Sequence, residues 1–162
     1  MVFKNKNMTG FSKKIDRSSI KADNQKNNLL RKKLIAKAFE HHSKGDFKVA
    51  EKFYEKFLDK GFNDPRVYSN YAILCKDTSR KKQALEILAK SIKKYPNNSE
   101  LYAITSDILR AQGELEQAHL SIEKAININP NVANYHFNLG LIFIGLKLLS
   151  KAIISLEKAI LI

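Results

Sequence analysis

The chain has 162 residues, 44% of them hydrophobic with nine Phe and six Tyr; this is enough for a continuous core and excludes a wholly disordered polypeptide. The formal charge is +13, but residues 1–33 hold ten Lys or Arg against only Asp16 and Asp23, so +8 of the excess lies in that stretch. A lone cysteine, Cys75, excludes an internal disulfide and fits a reducing, cytoplasmic setting.

Residues 1–28 read as a flexible, Lys- and Asn-rich basic tail, in which Phe3, Phe11, Ile15 and Ile20 are scattered without a sustained period. The tail lacks the apolar centre of a secretory signal. The longest apolar run, Leu139 to Leu149, is interrupted by Lys147 and is well short of the roughly 20 residues that span a bilayer. A soluble chain is expected.

From Leu29 and Leu30 onward a helix should run into the first of four units, 31–64, 65–98, 99–132 and 133–162. Their most constant mark is an alanine, at Ala50, Ala84, Ala118 and Ala152, spaced by 34 each time. Each unit holds one apolar-periodic stretch, a short turn, a second such stretch and a linker. Lys44-Gly45-Asp46 and Gln112-Gly113-Glu114 place glycine at the turn, whereas Asp77-Thr78-Ser79-Arg80 turns without it. Asp64-Pro65 reads as an N-cap followed by proline at the first helical position, and Asn97, Asn98 and Asn131 are further candidate caps after Pro96 and Pro130. Small residues recur at Ala38, Ala72, Ser106 and Gly140, where helices can approach closely. Large ones recur at Tyr54, Leu88, Ile122 and Leu156, and again at Leu58, Ile92, Ile126 and Ile160, to fill the space between hairpins.

This pattern resembles the tetratricopeptide repeat (TPR) family over residues 31–162. The resemblance rests on Ala50-x3-Tyr54, on Gly113 through Ala118-x3-Ile122 to Pro130, and on Asn138-Leu139-Gly140-x2-Phe143 with Ala152-x3-Leu156. Lys37 and Thr105 stand where leucine is usual, Phe57 and Ser91 where a second small residue is usual, and Phe62 in place of the terminal proline of the first unit. The resemblance implies an all-α, right-handed solenoid of about eight helices, with the first helix of each hairpin lining a concave groove. Carried over place by place, the groove residues are Ile35, Phe39 and His42; Arg66, Ser69, Asn70, Ile73 and Lys76; Glu100, Ala103, Asp107 and Arg110; and Asn134, Phe137, Asn138, Leu141 and Ile144. As a set they describe apolar ends, Phe39 with Ile73 and Phe137 with Leu141 and Ile144, around a polar middle of mixed sign. Relatives that grip acidic chaperone tails use a clamp of Lys, Asn and Arg, whose places here hold Ile35, Phe39, Asn70, Glu100 and Ile104. Only Asn70 agrees, so no such clamp is expected.

No catalytic residues, metal site or cofactor are expected. His41 and His42 are adjacent, so on a helix they point about 100° apart and cannot chelate one ion. The leading reading is a non-catalytic scaffold that binds a protein or peptide segment in the groove. A second reading is nucleic-acid association through the basic tail, but no recognised module and no interleaved aromatic platform accompany its cations, so specific nucleic acid is not expected. A third makes the repeats a module of a transferase, glycosyltransferase or sulfotransferase, whose catalytic domain this chain lacks. Lys158-Ala159-Ile160-Leu161-Ile162, after Ile153, Ile154 and Leu156, has no polar outer face. Apolar surface is expected to stand open there, for a partner, a second copy or further chain.

Overall fold

The computed structural model describes residues 17–162. Eight helices follow one another: α1 (Arg17–Ser43), α2 (Phe47–Asp59), α3 (Pro65–Asp77), α4 (Lys81–Lys94), α5 (Ser99–Arg110), α6 (Leu115–Ile128), α7 (Ala133–Gly145) and α8 (Leu149–Leu161). Consecutive helices pair as hairpins, α1 with α2 through α7 with α8, and each hairpin packs on the next. First helices also touch first helices, α1 with α3, α3 with α5 and α5 with α7. That second set of contacts lays four helices side by side along one face.

The turn inside every hairpin repeats one hydrogen bond. The amides of Asp46, Arg80, Glu114 and Leu148 donate to the carbonyls of His41, Cys75, Leu109 and Phe143 at 2.9, 2.7, 3.0 and 2.8 Å, which ends each first helix in a Schellman turn. Such a turn needs a left-handed residue just before the donor. Gly45 and Gly113 supply it at φ 78° and 82°, while Ser79 and Lys147 are held at 63° and 59°. The glycine-free turns therefore carry a strain of about 1 kcal/mol or more that the glycine turns avoid.

Between hairpins, Asp64 caps α3, its carboxylate accepting from the Arg66 amide at 3.1 Å, and Asn98 caps α5 through the Leu101 amide at 3.3 Å. The expected caps Asn97 and Asn131 do not serve: α7 begins behind Val132 with no side-chain cap. Instead His136 donates to the Pro130 carbonyl at 2.8 Å and ties down that linker.

The four marker alanines are buried, as are Tyr54, Leu88 and Ile122. A Cβ added at Gly140 would lie 2.7 Å from the Leu156 side chain, which would have to shift to admit an alanine there. At the equivalent Ser106 the hydroxyl is buried but satisfied, donating to the Ala118 carbonyl at 2.8 Å. The two departures in the first unit explain each other, since the Phe57 and Phe62 rings pack with centroids 5.5 Å apart.

The first helix starts at Arg17 rather than at Leu29. Nothing in Arg17–Asn28 is Gly or Pro, so the helix anchored by Leu34 and Ala38 is free to extend backward, with Asp23 to Leu29 exposed. That part of the expected tail is helical; residues 1–16 lie outside the described residues.

Candidate functional site

The side-by-side first helices form an open cleft of about 380 Å³ between α3, α5 and α7. Ile73 and Lys76 line it from α3; Glu100, Ala103, Ile104 and Asp107 from α5; Asn134, Tyr135 and Asn138 from α7. Seven of the groove positions carried over from the sequence thus come together in one place. Tyr135 was missed, because its column reads as core; it is nearly buried, yet its hydroxyl sits 3.1 Å from Ser99 Oγ at the cleft's edge.

Charge in this cleft is already largely paired. Lys76 Nζ donates to Asp107 Oδ2 at 3.1 Å and Arg110 Nη2 to Asp107 Oδ1 at 2.9 Å. Burial alone would push the Asp107 carboxyl up, but the hydrogen bonds and charges of Lys76 and Arg110 outweigh it and hold it below its ordinary value. Lys76 lies a further 3.9 Å from Asp77. Glu100 is exposed and has no ion-pair partner among the described residues.

The remaining expected groove residues lie elsewhere. Ile35 and Phe39 are half-buried against the core of the first two hairpins, Phe39 with its ring centroid 6.2 Å from that of Tyr54. His42 bonds the Tyr54 hydroxyl at 2.9 Å, and burial, only partly opposed by Asp77, lowers its pKa. Arg66 folds back on Asp64 through two bonds of 3.0 and 2.8 Å, and Asn70 donates to the Arg66 carbonyl at 2.8 Å. Ser69 is fully buried, so its assignment to the groove is corrected: no ligand reaches it.

Physically, Ser69 fails because it stands at the fifth place of its unit, where the next hairpin lies over it. The equivalent Ala103 is 7% exposed, whereas Phe137, in the last described hairpin, is 47% exposed. Phe137 accordingly lines a different hollow of about 520 Å³, with Ala133, Asn134, Leu156, Ala159 and Ile160 on the outer side of α7 and α8. Asn134 lines both hollows, so Phe137 lies next to the cleft on the same helix. Leu141 is half-buried and Ile144 exposed on α7, and neither lines the cleft.

Elsewhere in the molecule, burial pushes the Cys75 thiol up to about 11, which makes it a packing group and a poor nucleophile. Among the described residues no group of three His, Cys, Asp or Glu side chains could hold a metal ion. No described helix is long and apolar enough to cross a membrane.

Stacked hairpins on a fixed 34-residue register, with first helices lining one face, define a helical-repeat solenoid. Residues 107–146 match a family described as TPR repeat, and residues 133–162 one described as tetratricopeptide repeat. The chain carries tetratricopeptide repeats and folds as a TPR solenoid. Among solved structures it is similar to MamA, at 26% identity and a TM-score of 0.69 over 76% of this chain and 72% of that one. It is similar also to YrrB, described as a TPR protein with an unusual peptide-binding site, at 18% identity and 0.68 over 88% and 80%. A third is a thermophilic TPR protein from Thermus thermophilus, at 23% identity and 0.69 over 80% and 72%. No curated protein matches the sequence.

Proposed function

We propose that the chain is a non-catalytic scaffold for protein–protein interaction that holds a peptide or protein segment against the first helices of its repeats. The observation that carries this reading is the cleft between α3, α5 and α7, to which three successive hairpins contribute. A segment crossing it would meet an apolar floor of Ile73, Ala103 and Ile104 and the side-chain amides of Asn134 and Asn138. Such a surface suits an extended chain with spaced apolar anchors. Asp107 is already spent on two cations, which favours holding over acid–base chemistry. The peptide-binding site in the description of YrrB supports the same class of partner. The buried free thiol of Cys75 supports a cytoplasmic setting.

The test is selection from a displayed library of random peptides on the full-length protein. Ala103→Arg, which fills the cleft from its floor, should weaken the recovered binders at least about tenfold, and Asn138→Ala less so. Binders indifferent to both substitutions, in variants whose circular dichroism is unchanged, would place the site elsewhere.

Self-association is a second reading, favoured by the exposed apolar residues of the last hairpin. Ile153, Ile154, Ile160 and Leu161 stand 57, 65, 83 and 86% exposed. The equivalents of Ile160 in earlier units, Leu58, Ile92 and Ile126, are partly buried in the core. Helices of this same chain thus already fit such a face, which makes a second copy the occupant to test.

A further inference from the structure

We infer that the cleft selects a segment bearing a basic side chain, Lys or Arg, with the Glu100 carboxylate as its receptor. The inference rests on the groove reading above and adds the charge class of the ligand.

Consider what each charged group at the cleft has left to give. Asp107 accepts from both Lys76 and Arg110, and Lys76 faces Asp77 as well. These two cations and two carboxylates balance, so neither Lys76 nor Arg110 offers a free charge to an incoming carboxylate. Arg110 does have an unused donor, Nε, but that atom is buried without a partner and lies out of a ligand's reach. Glu100 is different: it lines the cleft, is exposed, and has neither an ion-pair partner nor a side-chain hydrogen bond among the described residues. Its place in the first turn of α5 lets it interact favourably with the helix N-terminus. That interaction leaves the carboxylate oxygens open to solvent and to a ligand's donors. A cleft whose other charges cancel, with one unspent carboxylate beside an apolar floor, complements a cation carried next to an apolar side chain.

The protein's overall positive charge does not oppose this. Arg17, Lys21, Lys26, Arg31, Lys32 and Lys33 all lie on α1, which makes no packing contact with α5 or α7. At physiological ionic strength exposed charges are screened beyond about 8 Å.

The experiment is the same displayed library, selected in parallel on the full-length protein and on its Glu100→Gln and Glu100→Lys variants. The unaltered protein should enrich Lys or Arg beside an apolar residue. Its best peptide should bind about tenfold more weakly to Glu100→Gln, and still more weakly to Glu100→Lys, whose own pool should shift toward Asp and Glu. The peptide's affinity for the unaltered protein should fall as salt is raised. Glu100→Gln keeps the Asn98 cap and serves as the control for folding, read by circular dichroism. Pools of equal charge on all three proteins, all still abolished by Ala103→Arg, would overturn the basic preference while leaving the groove in place. Binding that ignores Ala103→Arg would overturn the groove reading, and this inference with it.

Discussion

At the outer side of α1, Lys33, Lys37 and Glu40 are exposed, and Glu40 accepts from Lys37 at 3.3 Å and from Lys44 at 2.7 Å. The same three places on the later first helices hold Val67, Tyr71 and Leu74, then Leu101, Thr105 and Ile108, then Tyr135, Leu139 and Ile142, which are buried or half-buried against the preceding hairpin. At the other end, Leu149, Ile153 and Ile160 of α8 are exposed. One 34-residue plan has therefore produced a charged face at one end and an apolar face at the other. Lys37 departs from the repeat pattern at a place that is exposed on α1, whereas Tyr71, Thr105 and Leu139 at the same place are buried or half-buried.

Energetically, the interior and the open end should separate most widely. Ile122 is fully buried, and Ile122→Ala should cost about 3 kcal/mol in urea unfolding. Ile160→Ala, at a position 83% exposed, should cost less than about 0.5 kcal/mol in the monomer. Similar costs at the two sites would mean that the open face is covered in solution.

Turning to association, the two faces predict its geometry. If a second copy covers the last hairpin, it should meet it tail to tail, because the Lys37–Glu40–Lys44 cluster on α1 would have to be desolvated in a head-to-tail stack. Sedimentation should then give a dimer and nothing larger, and Ile153→Lys should weaken it by about a hundredfold. Lys37→Leu with Glu40→Leu should restore the missing complementarity and allow open-ended assemblies that grow with concentration. A dimer that survives Ile153→Lys would rule out this face.

Much of this was legible before any coordinates. The fold was readable because a helix hairpin cannot bury its apolar stripes alone, so every unit repeats the residues that its neighbours need. The cleft was readable only in part. Counting places along a unit says which residues share a column, and it put Ser69, Ala103 and Phe137 together. Whether a column faces solvent depends on what lies over it, and for those three the cover differs, from complete to absent. The helical start at Arg17 was hidden for the opposite reason: an exposed helix extension has no apolar period to detect. Likewise, the pairing of Asp107 with Lys76 across 31 residues decides which charges in the cleft remain unspent, and no local pattern announces it.

The smallest effect expected is on acid response, and it tests whether the charged face stabilises its end at all. Hydrogen bonds from Lys44 and then Lys37 hold the Glu40 carboxyl at about 2, below its ordinary 4.5. Asp64, between the N-terminus of α3 and Arg31 of α1, is likewise lowered, chiefly by its hydrogen bond from Arg66. A carboxyl whose folded value is depressed contributes stability that is whole above its unfolded value and is lost as pH falls through the folded one. For Glu40 that window runs from 4.5 down to about 2. In α7 and α8 the one carboxylate, Glu157, has no ion-pair partner among the described residues, so nothing comparable is lost there. Amide exchange, corrected for intrinsic rates, should show protection in α1 and α2 falling between about pH 4.5 and pH 2 while α7 and α8 keep theirs. Glu40→Gln should remove most of that difference, and equal acid loosening of both ends would show that the ion cluster does not stabilise its end.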